Sequence, residues 1–87
     1  METKYIIEKE KEFLLVLQSR RKNKILKKRA LNNLVDYLVS TLANTTEPEM
    51  RTYIFNSIGK AATNGLNFGI KVDPFYEQLI PNNPIYK

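Results

Sequence analysis

The sequence predicts a small all-α antiparallel bundle of three to four helices with an irregular C-terminal tail, and three observations carry that prediction. The stretch LNNLVDYLVSTL, residues 31–42, sets Leu31, Leu34, Val35, Leu38 and Leu42 at the three-and-four spacing of one helix face. Asn32, Asn33, Asp36, Ser40 and Thr41 fall mostly on the opposite side. A second apolar run precedes this stretch and a third follows it, so its buried face has partners. Finally, Pro74, Pro81 and Pro84 forbid a further long helix near the C-terminus.

The first helix is expected over residues 3–20, where charged and apolar residues alternate at helical spacing and Ile6, Phe13, Leu14 and Leu17 form the buried edge. Leu15 and Val16 widen the apolar arc and predict contact with two neighbours. Glu8 and Glu12 stand four residues apart, with Lys9 and Lys11 offsetting them on the exposed side. The second helix is expected over residues 24–43. No Gly or Pro separates it from the first, so a break is placed near residues 21–23 to let it return antiparallel.

The third helix, residues 47–63, has the best-marked start in the chain. Thr46 and Glu49 stand at capping-box spacing, and Pro48 falls in the first turn, where its missing N–H costs nothing. Met50, Ile54, Ile58, Ala61 and Ala62 form its inward stripe, and Asn64-Gly65 is expected to end it in a left-handed cap. A short helix over residues 74–79, opened by Asp73, then leads to a tail at residues 80–87. No internal repeat or low-complexity tract is present.

At 87 residues the chain reads as one domain with a thin stability margin, since so small a fold buries only about 60–65% of the surface its unfolded chain exposes. There is no Cys for a disulfide or thiolate metal site, and no His for a ligand or proton shuttle. No apolar run approaches the ~20 residues that span a bilayer, and the acidic start at Glu2 is unlike a secretory signal. The expected setting is therefore cytoplasmic.

These absences also weigh against an enzyme. General acid–base work would fall to Glu8, Glu10 and Glu12, which sit among lysines on an exposed helix face. Gly59, Gly65 and Gly69 match no phosphate-binding loop. Gly59 reads instead as a point of close helix approach, or as a modest cost to its helix. No catalytic residue, metal ligand or cofactor site is expected.

Two stretches could bind a partner. Arg20, Arg21, Lys22, Lys24, Lys27, Lys28 and Arg29 put seven positive charges and no acid into ten residues, while the rest of the chain is net −2. The basic character is therefore local. This window reads as a solvated connection, as a patch for an anionic membrane surface, or as a nucleic-acid contact. The last is disfavoured, because no aromatic residue is interleaved for base stacking and no reading motif is recognisable. The second stretch is the aromatic C-terminal region, with Phe68, Ile70, Phe75, Tyr76, Ile85 and Tyr86 as candidate recognition residues. Its alternative role is completing an undersized core.

Taken together, the middle and C-terminal third resemble the immunity proteins of class IIa (pediocin-like) bacteriocins, the enterocin A immunity type above all. The residues that carry the resemblance are Val35 and Tyr37 in the leucine-rich helix, then Ile58, Gly59 and Lys60, then the Asn64-Gly65-Leu66 turn, within the ordered match LNNLVDYLVSTL and SIGKAATNGLNFGIKVDP. It covers residues 25–74. It implies a cytoplasmic antiparallel four-helix bundle that protects a producing cell by acting on the bacteriocin-bound mannose phosphotransferase permease at the inner membrane face. It also implies that the C-terminal half sets which bacteriocins are resisted. One feature departs from the family pattern: only one helix precedes Leu31, where the family has two. The chain is expected to be a monomer or weak homodimer, and the rival readings are a small basic nucleic-acid-binding or regulatory protein and a non-catalytic helical interaction module.

Overall fold

The computed structural model describes residues 3–77, apart from the side chains of Phe75 and Glu77. Three long helices dominate it: α1 (Thr3–Gln18), α2 (Lys24–Ala43) and α3 (Pro48–Asn67). A single turn, α4 (Pro74–Glu77), follows. The chain is a small all-α bundle, with no strand among the described residues. The helices run antiparallel. Tyr5 of α1 meets Tyr37 near the far end of α2, and Leu31 of α2 lies against Gly65 near the end of α3. Among the described residues, no helix is long and apolar enough to cross a membrane.

The core follows the periodic positions closely. Ile6, Phe13 and Leu17 of α1, Leu31, Leu34, Val35 and Leu38 of α2, and Ile54, Ile58, Ala61 and Ala62 of α3 are all buried. Leu14, Leu42 and Met50 are half-buried at its margin. The central helix is α2, which packs against both neighbours and most extensively against α3. Small residues explain that closeness: Ala61, Ala62 and Gly65 leave α3 a low ridge where the α2 leucines seat. Leu15 departs from expectation. It is 68% exposed, because its position on α1 points directly away from the Ile6–Phe13–Leu17 stripe.

The second helix starts at Lys24 as expected, whereas both ends of α3 are built differently from what local motifs predicted. The α1–α2 break is a turn over residues 19–23, and its signal is Asn23, whose Oδ1 accepts from the Leu26 N–H at 2.9 Å as the α2 N-cap. At the start of α3 the Thr46–Glu49 capping box does not form. Glu47 is the N-cap residue and makes no side-chain cap bond, with Pro48 at the first helical position. The preceding carbonyls are satisfied from the other side, by Arg51. Its Nη1 donates to Leu42 O at 2.9 Å and Thr45 O at 2.7 Å, a cation seated on the C-terminal end of α2.

The second difference is at the end of α3, which passes through Asn64-Gly65 and continues to Asn67. The left-handed residue is Gly69, at φ +76°. Ile70 N–H donates to Gly65 O and Gly69 N–H to Leu66 O, both at 2.9 Å, which is the Schellman pattern. The helix gains by running on, because Leu66 becomes half-buried and Ile70 is delivered into the core. The point of close approach is accordingly Gly65, not Gly59, which is half-buried in α3. A Cβ on Gly65 would stand 2.8 Å from Leu31 Cδ2 and 3.3 Å from the Ile70 carbonyl oxygen.

Beyond Gly69 the chain crosses back along α2. Ile70 and Val72 are buried, and the Asp73 N–H donates to Asn32 Oδ1 at 2.9 Å. One helical turn further along α2, the Tyr76 hydroxyl donates to Asp36 Oδ1 at 2.7 Å. Asn32 and Asp36, read from the sequence as a solvent face, are the anchors of this returning segment. The expected helix over residues 74–79 is described only through Glu77, and the tail at residues 80–87 lies outside the described residues.

Candidate functional site

The depressions that the described side chains form are shallow. The groove between α1 and α2, lined by Lys9, Glu12, Phe13, Val16, Ala30, Asn33 and Leu34, has a volume of about 200 Å³, while larger depressions of about 520 Å³ at the α2–α3 turn (Asn44, Thr45, Thr46, Glu47, Met50) and about 500 Å³ along the start of α3 (Pro48, Arg51, Thr52, Phe55, Asn56) lie open on the outside of the bundle and gather no cluster of titratable groups. No group of three or more Asp or Glu among the described residues could hold a metal ion. Surfaces, therefore, are what the molecule offers.

The recognition residues expected near the C-terminus divide. Ile70 is only 4% exposed and belongs to the core, so it is not available to a partner. Its burial follows from the Gly69 turn, which aims the chain inward over Gly65. Tyr76 is half-buried and held by Asp36, and Phe75 sits in α4. Its hydrogen bond to Asp36, followed by burial and the nearby charges of Asp36 and Asp73, holds the Tyr76 phenol above its ordinary pKa of 10.0. Phe68 remains 39% exposed at the end of α3. Ile85 and Tyr86 lie outside the described residues.

The basic residues are gathered at one end of the bundle. Arg20, Arg21 and Lys22 occupy the α1–α2 turn, and Lys24, Lys27, Lys28 and Arg29 the first turns of α2, all exposed except the half-buried Lys27. No acid stands in the first turn of α2. The positive end of the helix dipole thus carries further positive charge, the opposite of the stabilising arrangement.

This basic end also holds the exposed aromatic. Lys27 Nζ lies 5.7 Å from the Phe68 ring centroid, and the Lys24 ammonium stands 3.3 Å from where a Cβ on Gly69 would be. Two stretches 41 residues apart in sequence, read separately as a basic window and a recognition segment, form one surface. Within the basic window Ile25 is 70% exposed and Leu26 39%. In the sequence Ile25 falls within the expected second helix with no role assigned to it. The available signal was its spacing: six residues before Leu31 is a turn and two thirds, which sets the two on different faces. A second cationic contact lies toward the opposite end, where Lys9 Nζ is 5.2 Å from the Tyr5 ring and 4.8 Å from the Tyr37 ring. It ties α1 to α2, consistent with a structural role.

No family model, no curated protein and no solved structure matches this chain.

Proposed function

We propose that this chain is an immunity protein against a pediocin-like bacteriocin, acting by binding rather than catalysis on the bacteriocin-bound mannose phosphotransferase permease at the cytoplasmic face of the membrane. The observation that carries the reading is the ordered string of motif residues across 25–74. In the fold these residues do connected work: Val35 and Ile58 lie in the shared core, Tyr37 meets α1, and Gly65 sets the contact between α2 and α3. A helical bundle alone supports many functions, so the argument rests on this order and not on the architecture.

The test is protection. The chain is expressed in a strain sensitive to class IIa bacteriocins, and killing by a panel of them is compared with an empty-vector control. A selective rise in tolerance to one or a few is expected. Unchanged killing by every member, with the protein soluble and folded, overturns the reading. If the C-terminal end recognises the target, deleting residues 82–87 abolishes protection and leaves the helical circular dichroism intact; loss of helicity instead assigns that segment to the core.

A further inference from the structure

We propose that the basic end of the bundle is a bilayer-insertion surface, in which Ile25, Leu26 and Phe68 enter the interface of an anionic lipid membrane while the surrounding lysines and arginines engage its headgroups. This goes beyond the immunity reading and does not depend on it.

The first argument is composition. Seven cations without an acid provide attraction to an anionic surface, at roughly 1 kcal/mol per charge or about fivefold in affinity. Charge alone would serve nucleic acid equally well. The apolar residues distinguish the two, because Ile25 has no partner on a phosphate backbone and cannot stack on a base. A branched aliphatic held outward beside Lys24, Lys28 and Arg29 instead has the pattern of interfacial helices, whose apolar groups enter the acyl boundary while long cationic side chains reach to the headgroups. Phe68 adds a second exposed apolar group at the same end of the bundle, beside the Lys27 ammonium.

The second argument is the field. Lys24, Lys27 and Lys28 crowd the positive end of the α2 dipole, which costs the isolated fold stability. An anionic surface laid against that end offsets the cost. The seven cations stand at one end of a 20-residue helix about 30 Å long, and the rest of the chain is net −2, with Arg51 partly offsetting Glu47 and Glu49 at the far end. The cationic excess is thus confined to one end of α2, and an anionic membrane turns that end toward itself before contact.

The experiment is co-sedimentation of the full chain with vesicles of phosphatidylcholine alone and of phosphatidylcholine mixed with phosphatidylglycerol. Binding is expected only to the mixed vesicles. Reversing Lys28→Glu and Arg29→Glu together should weaken it at least about 25-fold. The same double variant should melt at or above the parent temperature, since it relieves the dipole conflict, so its lost binding cannot be lost fold. Ile25→Ser, at unchanged charge and a 70% exposed position, should weaken binding roughly tenfold. The chain has no Trp, so Ile25→Trp supplies a sole reporter whose emission should shift to the blue on mixed vesicles. Three results overturn the proposal: no binding to mixed vesicles, parent-like binding by Ile25→Ser with no emission shift in Ile25→Trp, or tighter binding to a duplex DNA than to vesicles at the same salt.

Discussion

Gly65 illustrates how one residue can be worth more without a side chain than with one. In a helix interior, Gly→Ala gains up to about 1 kcal/mol from backbone propensity. Here the added methyl would meet Leu31 Cδ2 at 2.8 Å and the Ile70 carbonyl oxygen at 3.3 Å. Leu31 is fully buried and Ile70 is 4% exposed, so neither has free space to yield into. Overpacking of this kind costs about 1–3 kcal/mol. Gly65→Ala is therefore expected to lower the urea midpoint despite its better helix propensity, by a net of roughly 1 kcal/mol. A midpoint above the parent would show that α2 and α3 separate more easily than the contact implies.

At the scale of elements, the fold is held by pieces that reach across to finish one another. Arg51 of α3 satisfies carbonyls at the end of α2, and the segment over residues 70–77 is fastened to α2 through Asn32 and Asp36. The Tyr76–Asp36 bond has a pH signature. Because the phenol holds its proton more tightly in the folded chain than in the unfolded one, its contribution is complete below pH 10.0 and declines as pH rises through the raised value. An absorbance titration of the tyrosines should contain a transition above 10.0 that disappears in Tyr76→Phe. Identical titrations for parent and variant would show that Asp36 does not hold the phenol in solution.

For the molecule as a whole, the small core leaves little reserve. A domain of this size has a stability near the lower part of the ~5–15 kcal/mol range, and truncating a fully buried Ile58 to Ala costs about 2–5 kcal/mol. Ile58→Ala is accordingly expected to shift the thermal midpoint down by 10 °C or more, on the order of 4–8 °C per kcal/mol for a domain this short. A shift of only a degree or two would mean that the bundle collapses readily around the cavity. Against so slim a reserve, the conflict between the basic window and the α2 dipole is a cost borne by the whole fold. The membrane contact proposed for this end would offset that cost.

By itself the sequence determined what depends on near neighbours. The spacing of Leu31, Leu34, Val35 and Leu38 specifies a helix and its buried face, because helical periodicity is local, and the same holds for the core stripes of α1 and α3. The tertiary structure decided what depends on residues far apart. Asn64-Gly65 and Gly69 are both plausible stops for α3, and the choice fell to Gly69 because burying Leu66 and Ile70 against α2 outweighs ending the helix a turn earlier. The same packing moved Ile70 from recognition surface to core and turned Asn32 and Asp36 from solvent face to anchor. It also brought Phe68 beside Lys27 across 41 residues of chain. Local patterns settle which faces are apolar, whereas which surface meets which is fixed by competition for burial among all the elements at once.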